Sequence, residues 1–172
     1  EPVLWAVENG ITNGTDATHF DPNGNCMRAV VVTFLWRAAG APEPTSSENP
    51  FTDVKESEFY YNAVLWAVEQ GITKGVTDTT FNPDGNCTRA QAVTFMHRFA
   101  GEPETSMENP FTDVSDQEFY YNAILWAVEN KVTNGVSTTR FAPDDLTTRA
   151  QIVTFLWRAK GCPEPTTQTN PF

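Results

Sequence analysis

The feature that most constrains this chain is an internal repeat. Trp5, Trp66 and Trp126 lie at spacings of 61 and 60 residues, and Phe20, Phe81 and Phe141 keep the same spacings, as do Arg28, Arg89 and Arg149. Residues 51–101 and 111–161 align without a gap and share 31 of 51 positions. Repeats of this kind bury their apolar faces against one another, so the fold must be an assembly of similar units. The register changes only in "GAPEPTSSENPF" and "GEPETSMENPF", whose Pro, Ser and Glu content suits exposed connections. The expected units are 1–50, 51–110 and 111–172, the last carrying the start of a following linker or unit.

Each unit reads as helix, loop, helix. In the second, "ESEFYYNAVLWAVEQG" offers Ser57 as a cap, Tyr61, Leu65 and Val68 on one face, and Gly71 as a C-terminal stop. That pattern predicts a helix of about three to four turns. "ITKGVTDTTFNPDGNC" is punctuated by Gly, Pro, Asp and Asn and reads as a structured loop, with a turn or short strand around 79–81. The second helix follows. Thr88 with Gln91, and Thr148 with Gln151, fit the capping box. Its apolar residues fill more than one stripe, which implies burial on several sides. The expected fold is all-α. Three helix-loop-helix repeats share one core, with the second helices meeting on a pseudo-threefold axis and the first helices packed outside.

The ends fall mid-pattern. Glu1 aligns with Asn62 and Asn122, so the first unit opens without a counterpart of "FTDVKESEFYY". Asn170, Pro171 and Phe172 repeat the entry into a new unit at Asn49, Pro50 and Phe51. Three arrangements accommodate this: a piece of a longer array, a permuted chain whose tail lies beside its head, or a first unit completed by another copy. The three tail residues replace little of the missing stretch, which favours the longer array, with self-association through the incomplete first unit and Phe172 as the alternative.

Composition removes several function classes. A net charge of −11 argues against nucleic-acid binding, which needs basic patches. No apolar run is long enough for a membrane-spanning helix, so no membrane insertion is expected. Three cysteines, Cys26, Cys87 and Cys162, and two histidines give no zinc pattern. "DPNGN" and "NPDGN" lack the alternating acids and terminal Glu of a calcium loop. No metal, no cofactor and no catalytic constellation is expected. His19 and His97 stand where the other units have unrelated residues.

The ordered motifs resemble the S-layer homology domain, a module that comes in threes. They are "FTDV" at 51–54 and 111–114, "WAVE" at 5–8, 66–69 and 126–129, "GITNG" at 10–14, "GITKG" at 71–75, "FNPDGNCTRAQ" at 81–91 and "FAPDDLTTRAQ" at 141–151. The resemblance implies a pseudo-trimeric prism around a central three-helix bundle. It implies a non-catalytic anchor that holds exported proteins on the bacterial cell surface. The implied partner is a secondary cell-wall polysaccharide, often pyruvylated, bound in grooves between repeats. The Arg of the family's T-R-A-E motif corresponds to Arg28, Arg89 and Arg149. The Glu of that motif is replaced by Gln91 and Gln151, and by Val30 in the first unit. A loop aspartate persists as Asp16 and Asp78 but is Thr138 in the third.

The residues themselves leave alternatives open. Arg89 opens a helix, where a cation is disfavoured by about 0.3–1 kcal/mol, so a compensating partner is expected. An external carboxylate would be held by the guanidinium and the helix N–H groups. An internal acid such as Asp53 or Asp113 would instead pin one unit to the next. Arg37, Arg98 and Arg158 lie at a helix C-terminus and read as structural. Trp5, Trp66 and Trp126 fit core packing, or a ring face that stacks on a sugar. The competing function is a self-assembling surface protein whose repeats contact other chains.

Overall fold

The computed structural model describes residues 1–167 and 169–172. It contains six helices: α1 (Pro2–Glu8), α2 (Arg28–Ala38), α3 (Tyr61–Glu69), α4 (Arg89–Phe99), α5 (Tyr121–Glu129) and α6 (Arg149–Ala159). Among the described residues there is no strand, only isolated bridges. None of the helices is long and apolar enough to cross a membrane. The all-α expectation holds.

The capping boxes are formed as predicted. The Thr88 hydroxyl accepts from the Gln91 N–H and the Thr148 hydroxyl from the Gln151 N–H, with the reciprocal bonds also present. Ser57, by contrast, caps nothing. α3 starts at Tyr61 with Tyr60 as an uncapped N-terminal flank. The preceding residues form tight turns, Glu58 N–H to Lys55 C=O and Tyr61 N–H to Glu58 C=O. This path buries Val54 and Tyr60 in the core, which a continuous helix would not do.

Packing crosses the unit boundaries. α2 packs on α3, α4 on α5, and α6 on α1, so each first helix lies against the second helix of the unit before it. α2 also contacts α4 and α6. The backbone repeats the same cycle. Cys87 N–H donates to Cys26 C=O (2.8 Å), Thr147 N–H to Cys87 C=O (2.9 Å), and Cys26 N–H to Thr147 C=O (2.8 Å), closing a ring of three. The first N–H groups of each second helix are bonded by the loop of another unit. Arg28 and Ala29 donate to Gly85 and Pro83, Arg89 and Ala90 to Asp145 and Pro143, and Arg149 and Ala150 to Gly24 and Pro22. Those donors would otherwise be unpaired at a buried helix start.

The C-terminal tail joins the cycle. Glu69 accepts hydrogen bonds from Thr45 and Ser46 of the linker before its unit. Glu8 accepts the equivalent bonds from Thr166 and Thr167. The Phe172 ring lies 5.8 Å from Phe20, as Phe51 lies 5.7 Å from Phe81 and Phe111 5.6 Å from Phe141. The tail therefore serves the first unit as the two linkers serve the others.

Candidate functional site

The recurring arginines are buried ties between units. Arg28 Nε donates to Phe81 C=O (2.9 Å), Arg89 Nε to Phe141 C=O (3.0 Å) and Arg149 Nε to Phe20 C=O (2.8 Å). Each guanidinium also sits over the ring of the same Phe, at 4.8, 4.7 and 5.0 Å. Their second aromatic neighbours are Phe95, Phe155 and Phe34. Burial pulls all three guanidiniums below the usual arginine value. Among the described residues, the Nη2 atoms of Arg89 and Arg149 are buried without a hydrogen-bond partner.

The internal-acid alternative is not what pairs these arginines. The Asp53 carboxylate accepts from Phe81 and Asn82 N–H (2.9 and 2.7 Å), and Asp113 from Phe141 and Ala142 N–H (2.9 and 2.8 Å). Arginine and aspartate thus grip the same phenylalanine from its two backbone sides. The helix N–H groups expected to assist an external anion are also engaged, by the loop carbonyls described above.

Two grooves open beside Arg28 and Arg89. The first, about 330 Å³, is lined by Arg28 of the first unit and by Lys74, Gly75, Gln91 and Arg98 of the second, with Phe119 of the third. The second, about 380 Å³, is lined by Arg89 of the second unit and by Asn134, Gly135, Gln151, Phe155 and Arg158 of the third. Neither lining contains an Asp or Glu, although the chain carries a net charge of −11. Gln91 and Gln151 turn their side-chain oxygens to the N–H of Thr88 and Thr148. A glutamate there would add a negative charge to each lining.

Several expected residues lie elsewhere. Trp5, Trp66 and Trp126 are 5–7% exposed and belong to the core. Trp126 packs on His97 and Trp66 on Phe99. Asp16 and Asp78 are exposed and line neither groove. Asp16 accepts from the Thr18 N–H and pairs with His19 (2.9 Å), which holds its carboxyl down at about 2. The Cys26 and Cys87 thiols are pushed up to about 12 by burial, so they are unreactive packing groups. Among the described residues no group of three or more His, Cys, Asp or Glu could hold a metal.

Other groove residues were read from the sequence as structural or were not singled out. Arg98 and Arg158 donate to Ile72 and Val132 carbonyls (3.2 and 3.3 Å), and their side chains also reach the grooves. The signal for the loop wall was "GITKG", whose Gly75 has φ +83 and would place a Cβ 2.5 Å from the Phe51 ring. Phe119, 65% exposed, supplies the aromatic surface expected of the tryptophans. Its signal was an unexplained aromatic on the polar side of "EFYY".

Residues 1–29, 50–93 and 110–153 match the S-layer homology domain. A "Cell surface protein" of Thermoanaerobacter kivui is 33% identical over 138 residues, covering 77% of this chain and 18% of that protein. An "Endoglucanase" of Bacillus sp. (strain KSM-635) is 31% identical over 122 residues, 71% of this chain and 13% of that protein. A "Cellulosome-anchoring protein" of Acetivibrio thermocellus is 32% identical over 83 residues, 46% of this chain and 19% of that protein. This chain therefore spans less than a fifth of each relative's length.

Proposed function

The chain belongs to the S-layer homology domain family, and from that premise we propose that it is a non-catalytic module anchoring a protein to the bacterial cell wall by binding an anionic secondary polysaccharide. The observation that carries the ligand's charge is the pair of grooves, each with two arginines and no acid, on a chain whose net charge is −11. In a partly enclosed site such arginines attract a carboxylate, and a pyruvate ketal supplies one on a sugar. Phe119 at the rim of the first groove offers an apolar platform for a sugar face.

The relatives support an anchoring rather than a catalytic role. Proteins called a cell surface protein, an endoglucanase and a cellulosome-anchoring protein share this segment over a small part of their length. A segment common to all three does not carry the activity of one. A prism of three repeats around a central bundle is the architecture that best accommodates the cyclic helix contacts and the ring through Cys26, Cys87 and Thr147. The self-assembling alternative drew on Phe172 and the incomplete first unit, and Phe172 packs on Phe20 of its own chain.

The test is sedimentation of the chain with purified bacterial wall, before and after removal of the non-peptidoglycan polymer. Binding is expected to fall with the polymer, and to fall again at high salt as the groove charges are screened. Replacing Arg98 and Arg158 by Gln should weaken binding while the fold persists. Undiminished binding to stripped wall overturns the proposal.

A further inference from the structure

The capping boxes that open α4 and α6 also set the chemistry of the groove walls. A backbone N–H needs an acceptor. The contact from Thr88 N–H (3.3 Å) therefore takes the oxygen of the Gln91 side chain, and that from Thr148 N–H (3.0 Å) the oxygen of Gln151. Each amide is held in one orientation by its own cap, with its Nε2 turned the other way. Among the described residues neither Nε2 has a protein partner, and neither is among the buried atoms left unsatisfied. Both are open to solvent, on side chains that line the two grooves.

Other free donors share each groove. Arg98 lies two turns beyond Gln91 on α4, and Arg158 two turns beyond Gln151 on α6. Both arginines use Nη1 on a loop carbonyl, and among the described residues their Nη2 groups make no hydrogen bond. In the wall of the second groove, Arg89 is only 4% exposed and its Nη2 is buried without a partner. Such an atom calls for an acceptor that the protein does not provide. Capping alone does not account for the amides. A glutamate fits the capping box as well as a glutamine does and suits the positive end of a helix better. What the amide adds is a donor.

Building on the reading of the grooves as saccharide sites, we propose that Gln91 and Gln151 are recognition residues, each donating Nε2–H to a carboxylate oxygen of an acidic sugar while Oε1 stays on the helix cap. An amide donor to an ionised oxygen is a charge-assisted bond. The cap fixes the amide before the ligand arrives, so little side-chain freedom is lost on binding. The same geometry sets selectivity. A ligand oxygen that only accepts matches the amide, whereas a glutamate at that place would offer an acceptor and a like charge.

The test is NMR titration of the 172-residue chain with short fragments of the non-peptidoglycan polymer released from purified bacterial wall. The side-chain amide resonances of Gln91 and Gln151 should move saturably, while those of Gln70 and Gln117, which line neither groove, stay in place. The double variant Gln91→Glu, Gln151→Glu keeps both capping boxes, so its urea midpoint should match the parent's. Its affinity for the fragments should fall at least about tenfold. If the fragments bind the parent but the Gln91 and Gln151 amides do not move, or if the double variant binds as tightly, this proposal is overturned and the groove reading stands. Fragments that do not bind the parent at all overturn both.

Discussion

Replacing Arg89 by Met tests whether the recurring arginine holds two repeats together. Methionine keeps most of the apolar stem and removes the guanidinium. The loss includes the buried bond from Nε to Phe141 C=O at 3.0 Å, of the charged kind worth about 1.5–3 kcal/mol. It includes the stacking over Phe141 at 4.7 Å, worth about 0.5–2 kcal/mol. Opposing these is relief from burying a cation whose Nη2 has no partner, a cost of the kind that makes some buried charges replaceable by apolar groups. The Phe141 carbonyl has no other donor among the described residues, so it is left unsatisfied and the loss prevails. The expected net change is a destabilisation of about 2 kcal/mol, or a factor of about thirty in the folding equilibrium. Urea unfolding followed by tryptophan fluorescence measures it, as a midpoint lowered by about 1 M at unchanged slope. A variant as stable as the parent, or more stable, would refute the tie and leave Arg89 with a ligand role alone.

Lys131 sits at φ +58 where the first two units have Gly10 and Gly71. Lys131→Gly should relieve left-handed strain and stabilise the chain by about 1 kcal/mol, read from the same urea midpoint; a loss of stability would count against that account. Gly75→Ala places a Cβ 2.5 Å from the Phe51 ring and from the Thr77 carbonyl oxygen, at φ +83. It should cost at least about 2 kcal/mol from combined strain and overpacking, and a cost below 1 kcal/mol, on the same scale, would mean the loop yields freely. Acid should loosen the linker contacts. Hydrogen bonds from Thr166 and from Ser46 hold the Glu8 and Glu69 carboxyls below their usual values. For Asp113, burial pushes upward but the Phe141 and Ala142 N–H groups overcome it, so its carboxyl is also lowered. Depressed carboxyls contribute stability above their unfolded values, near about 4, and lose it as pH falls through the folded ones. The urea midpoint should therefore drop below about pH 4.5; a midpoint constant from neutral pH down to about pH 3 would show that these bonds contribute nothing.

What the sequence disclosed was local. The Thr88–Gln91 and Thr148–Gln151 boxes could be read directly because a capping box lies within four residues. The start of α3 could not, because the turn through Glu58 is set by burial of Val54 and Tyr60 rather than by any cap. The arginines were legible as recurring and as needing a partner. Their partner was not, since Arg89 reaches a carbonyl 52 residues away and Arg149 one 129 residues away. A backbone acceptor leaves no mark on composition. The tryptophans invited a sugar-stacking reading because a Trp in an amphipathic helix has the same pattern whether its ring is covered or free. Phe119 carried less sequence signal than any of them, yet it is the exposed aromatic at a groove.

The cyclic packing explains why no single repeat contains a site. The first groove takes Arg28 from one repeat, Lys74 and Arg98 from the next and Phe119 from the third, so its chemistry exists only when three repeats are folded together. In an open repeat array each unit touches its neighbours and the ends are free. Here α1 meets α6, and the linker before each unit, including the tail before the first, docks its Phe on the next loop. Opening the boundary between the first and second repeats, or between the second and third, releases an arginine tie and a groove wall together. A ligand that binds a groove therefore stabilises a boundary between repeats rather than a repeat, and its binding free energy adds to the stability of the closed ring. Grooves that differ by Lys74 against Asn134 do so with different charge, so under the proposed function the boundary between the first two repeats is the one an anionic ligand holds most firmly.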